Sequence, residues 1–130
     1  MTNETKKEVD IAEFKSLVES NHKILGLDIG SKRIGVAIST SDMTGALPLR
    51  TIKYSNMKDF LKELNELVKL HDVKALIIGL PLNMDGSEGK SAQSIRDKSR
   101  AINLYVNIHY SFWDERLSTV AVEKLYTNNS

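Results

Sequence analysis

The stretch at residues 24–39, ILGLDIGSKRIGVAIS, constrains the fold of this chain more than any other segment. β-Branched and small apolar residues fill two arms, 24–29 and 34–39, and a Gly-Ser-Lys-Arg turn joins them, which predicts a β-hairpin. Asp28 interrupts the first arm, and a carboxylate in a central strand is costly unless it is paired or binds a cation. Asp28 is therefore either a turn aspartate displaced by a residue or two, or a metal ligand held on a rigid strand.

The segments after the hairpin alternate between helical and extended patterns. Pro48 opens a third strand, and three consecutive strands with short links predict an antiparallel meander. Further along, apolar residues at helical spacing alternate with apolar runs typical of buried strands. The predicted bounds are strands at 49–54, 74–80 and 106–113 and helices at 56–71 and 91–104, with shorter helices that begin near Asp10 and Ser118.

This order of elements predicts an α/β protein of the ribonuclease H-like type. Three antiparallel strands followed by α–β crossovers make a mixed five-stranded sheet of order 3-2-1-4-5 with helices on both faces. At 130 residues the chain is long enough for one such domain, which spans 1–130. Residues 1–22 are expected to form a polar tail and a short helix, and residues 24–126 the core.

Composition limits the partners and the compartment. The net charge is +1, so any binding of nucleic acid requires a local basic patch. The absence of cysteine excludes thiolate chemistry and suits a cytoplasmic protein. No apolar run approaches the roughly 18 residues of a membrane span, so no membrane partner is expected.

Acidic residues follow the predicted fifth strand at Asp114-Glu115-Arg116. We expect Asp28 and one of Asp114 or Glu115 to meet at the carboxyl edge of the sheet, and a shift of one residue in register decides which. Clustered carboxylates favour divalent cations, and two such ions about 4 Å apart can cleave a phosphodiester. Lys32, Arg33 and Arg116 lie beside these acids in sequence and suit a phosphate backbone. The alternative for all of these charges is a solvated turn and strand end with a local ion pair.

Three segments in order resemble the YqgF family, also called the RuvX or pre-16S rRNA nuclease family. They are LGLDIGSKRIGVAIS at 25–39, IIGLPLNMDGSEG at 77–89 and DERLST at 114–119. The resemblance implies a bacterial, cytoplasmic nuclease with a ribonuclease H-like fold that trims the 5′ end of pre-16S rRNA, with Mg²⁺ or Mn²⁺ as cofactor. The partners that it implies are pre-rRNA or branched DNA and ribosomal precursor particles, and the protein is expected to be a monomer or a homodimer.

The same resemblance assigns roles to individual residues. Asp28 becomes the metal ligand of the first strand, and Glu115, or its neighbour Asp114, the second acid. The residues that it assigns to the substrate are Lys32, Arg33, Asn83, Asp85, Gly86, Arg116 and Thr119. The sequence departs from the family by having Ile29 where many relatives have proline. It also has only Glu123 as an acid after Glu115, where the family continues into a helix that carries a third acidic residue. We therefore expect a metal site that lacks one ligand unless another chain completes it.

Other functions stay open at this point. A DNA-junction endonuclease uses the same chemistry on a different substrate. A non-catalytic nucleic-acid-binding relative is favoured by the short C-terminus and predicts binding that is indifferent to Asp28→Asn. Actin-like and sugar-kinase ATPases also open with a hydrophobic-Asp-x-Gly hairpin, but their fold needs two such domains and 130 residues supply one.

Overall fold

The computed structural model describes Glu8 and residues 23–39 and 46–114. Its strands form one sheet of order β3-β2-β1-β4-β5, in which β1 pairs antiparallel with β2, β2 antiparallel with β3, and β4 parallel with both β1 and β5. The elements in chain order are β1 Lys23–Ile29, β2 Arg33–Ser39, β3 Ala46–Lys53, α1 Met57–Leu70, β4 Val73–Leu80, α2 Lys90–Val106 and β5 His109–Asp114. The predicted mixed sheet and its strand order are confirmed.

Both described helices pack on one face of the sheet. The core on this face joins Phe60 and Leu64 of α1 and Ile95 of α2 to the odd-numbered residues of β1, such as Leu25 and Leu27. Because side chains alternate along a strand, the even-numbered residues of β1 face the other way. The helices predicted near Asp10 and Ser118 lie outside the described residues, so helices on the second face stay a prediction. Within the described residues, no helix has the length and apolar character needed to cross a membrane.

The start of α1 agrees with its sequence pattern. The side-chain oxygen of Asn56 accepts a hydrogen bond of 2.8 Å from the backbone N–H of Asp59, which satisfies a donor that the first helical turn leaves free. The apolar residues at helical spacing are the buried ones: Phe60, Leu64, Leu67 and Val68. The helix therefore forms where capping and amphipathic spacing coincide.

The third strand begins earlier than predicted. Residues up to Leu47 were expected to be loop, with Pro48 opening the strand, whereas β3 starts at Ala46 and contains Pro48 in its interior. Ala37 pairs with Pro48 while Val36 pairs with Arg50, so one extra residue is inserted in β3 as a bulge. A proline is tolerated here because β3 lies at the end of the described sheet, where a missing N–H breaks no ladder.

The fifth strand begins later than predicted. Residues 106–108 were assigned to the strand because apolar and polar residues alternate there, but α2 continues to Val106. Asn107 then adopts the left-handed conformation at φ 58°, and its N–H donates to the Asn103 carbonyl at 2.8 Å. The Asn103 amide donates in turn to the Ile108 carbonyl at 2.9 Å. These contacts end the helix and set the start of β5 at His109.

Candidate active site

Asp28 lies inside β1 and not in the turn that follows, so the interpretation as a displaced turn residue is wrong. It pairs with Gly35 of β2, and because Leu27 pairs with Ile78, its neighbour on β4 is Gly79. The carboxylate is exposed on the face away from α1 and α2, and no hydrogen bond or ion pair reaches it from residues 23–39 and 46–114. Glycines on both sides leave it open to a ligand.

An open groove of about 700 Å³ surrounds this carboxylate. Its floor consists of small residues from the three central strands, namely Gly26, Gly35, Ala37 and Gly79. Trp113 of β5 forms one side and Leu49 and Thr51 of β3 the other. Among the described residues that line the groove, Asp28 is the only acid.

Trp113 lies where it can contact a ligand of this groove. It shares a row across the sheet with Gly79, which it faces in the register of β4 and β5. Its indole nitrogen is buried without a hydrogen-bond partner among the described residues. Tyr110, by contrast, is buried in the core and packs edge-on against Phe112. Of these two aromatic residues, only Trp113 lines the groove.

Asp114 lies on the opposite face of the sheet from Asp28. In the paired strands, Trp113 faces Gly79 and Asp114 faces Leu80, so Asp114 occupies the row after the one that contains Asp28. Alternation places its side chain on the face of the helices, where Phe112 also packs. The expected meeting of Asp28 with Asp114 is therefore not seen. Glu115 and its neighbours Arg116 and Thr119 lie outside the described residues, and Glu115 stays the predicted second acid.

The described residues alone do not assemble a cluster of acids. No group of three or more histidine, aspartate or glutamate side chains converges on a common point in residues 23–39 and 46–114. Of the candidate ligands, the structure places Asp28 in the groove and Asp114 on the other face, and it does not describe Glu115.

The turn between β1 and β2 brings basic residues to the end of the groove. Lys32 and Arg33 are exposed, and Arg33 lies two residues before Gly35, on the same face as Asp28. Gly30 donates its N–H to the Arg33 carbonyl at 2.9 Å, and a Cβ at Gly30 would lie 2.9 Å from that oxygen. The Lys32 carbonyl accepts from the N–H of Tyr54 at 2.8 Å, which fixes the turn to the end of β3.

The loop after β4 is a compact turn and not an extended surface loop. Its ends meet where Leu82 pairs with Glu88. Asp85 accepts from the N–H and the hydroxyl of Ser87, at 2.9 and 2.6 Å, and Asn83 donates to the same hydroxyl at 3.0 Å. Gly86 has a φ of 89°, which favours glycine. Asn83, Asp85 and Gly86 thus shape the turn and do not line the groove, and their contact with substrate stays a prediction.

Arg96 connects this loop to β5, a contact that the sequence did not reveal. Its guanidinium donates two hydrogen bonds to the Glu88 carboxylate, at 2.8 and 2.7 Å, and lies 3.4 Å from Glu8. The same group lies 4.7 Å from the centre of the Phe112 ring. Glu88 and Arg96 are eight positions apart, and the helix starts between them at Lys90. The spacing typical of side-chain pairs within one helix therefore could not reveal this contact. The hydrogen bond from Arg96 lowers the pKa of Glu88.

Glu88→Gln is expected to remove a pH-dependent part of the stability. A carboxyl group whose pKa is lowered on folding stabilises the fold above its unfolded pKa of about 4.5, and this contribution disappears as the pH falls through the lower folded value. Urea unfolding should show the wild type as the more stable protein near pH 7 and the two proteins converging below pH about 4.5. Glu66→Gln, on the outer face of α1, controls for the loss of one exposed carboxyl group. A difference that stays constant down to the lowest pH would contradict this expectation.

Gly35→Val is expected to impair the groove without impairing the fold. A Cβ at Gly35 meets only the Asp28 Cβ, at 3.8 Å, and valine suits a strand better than glycine by up to about 1 kcal/mol. The branched side chain would nevertheless stand beside the carboxylate and displace a ligand, which should cost about tenfold to a hundredfold in any reaction at Asp28. Gly35→Ala should have a smaller effect in the same assays of thermal unfolding and activity. A large loss of stability in Gly35→Val would contradict the open space seen here.

Comparison with known proteins identifies the family of this chain. The model of the RuvX family, described as "Holliday junction resolvase", matches residues 22–130. A protein of Rhodospirillum centenum named "Putative pre-16S rRNA nuclease" is 39% identical over 121 residues, which cover 89% of this chain and 64% of the relative. Proteins of the same name from Pelagibacter ubique and Caulobacter sp. strain K31 are 39% and 42% identical, and the matches cover 90% of this chain and 78% and 72% of the relatives.

Solved structures share the fold at low sequence identity. RuvC of T. thermophilus, in a complex with a Holliday junction substrate, matches with a TM-score of 0.55 and 10% identity over 80% of this chain and 75% of that one. The large terminase nuclease of phage G20c matches with a TM-score of 0.50 and 16% identity over 82% of this chain and 51% of that one. These likenesses confirm the ribonuclease H-like fold. The family model, which matches residues 22–130, and the relatives at 39% and 42% identity show that the chain belongs to the RuvX family.

Proposed function

We propose that this chain is a metal-dependent phosphodiester hydrolase that acts on structured RNA in the cytoplasm and processes the 5′ end of pre-16S rRNA. The observation that carries the proposal is the exposed Asp28 carboxylate, held on the central strand between Gly35 and Gly79 in a chain whose relatives are named as pre-16S rRNA nucleases. Because glycines flank the carboxylate, a phosphate group can approach the sheet closely.

Mg²⁺ or Mn²⁺ is the cofactor that suits this donor. Hard divalent cations take oxygen ligands, and Mg²⁺ is often held by one or two carboxylates together with substrate phosphates. Asp28 supplies one such ligand, and we assign the second to Glu115. In the alternation of β5, Trp113 is on the face of Asp28 and Asp114 is on the opposite face, and Glu115 is the next acid in the sequence. An ion held there would supply activation of the attacking water and neutralisation of charge on the leaving oxygen.

The protein's own groups then bind and orient the substrate. Asp28 fixes the position of the reacting phosphate, since a central strand paired on both sides moves little. Lys32 and Arg33 contact the phosphate backbone beside it. Trp113 offers a wall on which a base can stack. Following the family resemblance, we assign further substrate contacts to Asn83, Asp85, Gly86, Arg116 and Thr119.

A DNA-junction endonuclease is the second candidate. The matching family model carries the description of a Holliday junction resolvase, which favours it. The groove and Asp28 serve both activities equally, because each requires a metal-bound phosphate at the same carboxylate. The substrate alone separates the two functions.

A cleavage assay tests the proposal. Purified protein is incubated with a labelled precursor of the 16S rRNA leader, a four-way DNA junction and a linear DNA duplex, each with Mg²⁺, with Mn²⁺ or with EDTA. We expect cleavage of the RNA leader that EDTA abolishes and excess Mn²⁺ restores. Preferential cleavage of the junction would establish the second candidate instead. Binding of RNA without cleavage under any condition would establish a non-catalytic relative.

A further inference from the structure

Arg33 of β2 and Lys53 of β3 lie directly opposite each other in the sheet. Both side chains are exposed, and neither has an ion-pair partner within the part of the chain that the structure describes. Like charges directly opposite on neighbouring strands destabilise a sheet. The repulsion between the two side chains therefore destabilises the folded protein, and an anionic ligand bound between them would relieve it.

Two other basic residues of the sheet, Arg50 and Lys74, contrast with this pair. Arg50 of β3 lies 3.0 Å from Glu63 of α1, and Lys74 of β4 lies 3.0 Å from Asp72. The chain thus provides a carboxylate for Arg50 and for Lys74, which lie away from the Arg33 position. Arg33 and Lys53 form no ion pair with any carboxylate of the described residues, Asp28 included.

The position of the pair relates it to the groove. Asp28, Gly35 and Thr51 form one row across β1, β2 and β3, and Arg33 and Lys53 form the next row on the same face. With about 4.8 Å between strands and about 6.8 Å between alternate residues, the Lys53 Cα lies about 12 Å from that of Asp28. A lysine side chain at this distance reaches a phosphate adjoining the one held at Asp28. The exposed hydroxyl of Thr51 lies between them and can donate to the same backbone.

We propose that Lys53, together with Arg33, binds the phosphate backbone of the substrate, so that the strand leaves Asp28 across β2 towards β3. This inference rests on the proposed function, because it places the reacting phosphate at Asp28. This contact recognises the charge of the phosphates and not the identity of the bases, so any nucleic-acid strand that enters the groove can make it. Gly35 keeps the path between Asp28 and the basic pair free of side chains.

The salt dependence of binding tests the inference. The affinity of the wild type, Lys53→Gln and Lys62→Gln for the labelled RNA leader is measured by fluorescence anisotropy between 50 and 200 mM salt. Loss of one phosphate contact lowers the slope of log K against log salt by about 0.7 for single strands and about 0.9 for duplexes, whatever the sequence. We expect this decrease for Lys53→Gln. Lys62 is exposed on α1, on the other face of the sheet, so Lys62→Gln should retain the wild-type slope.

Lys53→Glu separates a binding role from a structural one. It replaces the like-charged pair by an ion pair with Arg33, so its midpoint of thermal unfolding should equal or exceed that of the wild type. Its affinity for RNA should nevertheless fall below that of Lys53→Gln, because a negative charge now faces the backbone. If the wild type binds RNA and both Lys53 variants show the same salt-dependence slope as the wild type, this inference is overturned and the proposed function still stands. A wild type that binds no nucleic acid would overturn both.

Discussion

Asp28→Asn is expected to slow phosphodiester cleavage by about a hundredfold to a thousandfold. Metal ions supply several kcal/mol of charge stabilisation in the transition state, and each 1.4 kcal/mol corresponds to about tenfold in rate. The neutral amide weakens the hold on a divalent cation while keeping the size of the side chain. Because the Asp28 carboxylate makes no hydrogen bond or ion pair with the described residues, the substitution should leave the midpoint of thermal unfolding close to that of the wild type.

The matched control is Asp72→Asn. Asp72 is also an exposed aspartate, and its φ of 53° is a conformation that asparagine tolerates. Single-turnover cleavage of the RNA leader with Mn²⁺ should separate the two variants, while affinity measured in EDTA should be unchanged or higher for Asp28→Asn, since one repulsive charge has gone. Cleavage by Asp28→Asn at the wild-type rate would locate the chemistry elsewhere and refute the role of the groove.

The fold could be predicted from the sequence because each of its long elements carries its own periodic signal. Phe60 and Leu64 recur at helical spacing behind the Asn56 cap, and the structure buries both. The uninterrupted apolar run of β4 identified a strand covered on both sides. The hairpin and the two crossovers then allow few topologies, and the observed strand order is one of them.

The errors arose where a single residue changes the backbone. Asn107 ends α2 in a left-handed conformation, but the alternation of Val106 and Ile108 with polar neighbours imitates a strand. The local sequence around Pro48 predicts that it starts a strand. In the structure Pro48 lies inside β3, because β3 is at one edge of the described sheet and has a bulge next to this residue. Both outcomes depend on partners in other elements, which a local pattern does not contain.

The candidate site was predictable in type but not in register. Asp28 stands out as a charge in an apolar strand, and the structure places it in an open groove. Which acid of the Asp114-Glu115 pair shares its face depends on the pairing of β4 with β5, and this register puts Asp114 on the other side. The opposition of Arg33 and Lys53 likewise depends on the bulge in β3, because a one-residue insertion changes which residues share a face.

Phe60→Ala is expected to cost about 3–5 kcal/mol of the free energy of unfolding, the range for a buried phenylalanine. The ring is 2% exposed, and its centroid lies 6.0 Å from that of Tyr54 in an edge-on contact. Domains of this size have about 5–15 kcal/mol in total, so the variant should lose a large share of its stability. The substitution would leave a cavity beside Tyr54. Because the N–H of Tyr54 donates a hydrogen bond to the Lys32 carbonyl, this cavity would lie next to a residue that supports the turn containing Lys32 and Arg33.

Urea unfolding monitored by circular dichroism measures this cost, with Phe60→Leu as the matched variant. Leucine refills most of the space, so the loss in Phe60→Leu should be well below that in Phe60→Ala. Both variants keep Asp28, Arg33 and Lys53, so at a temperature where they stay folded their salt dependence of RNA binding should match that of the wild type. A loss of less than about 1 kcal/mol in Phe60→Ala would mean that α1 contributes little to the core, which the burial of Phe60 and Leu64 in that core argues against.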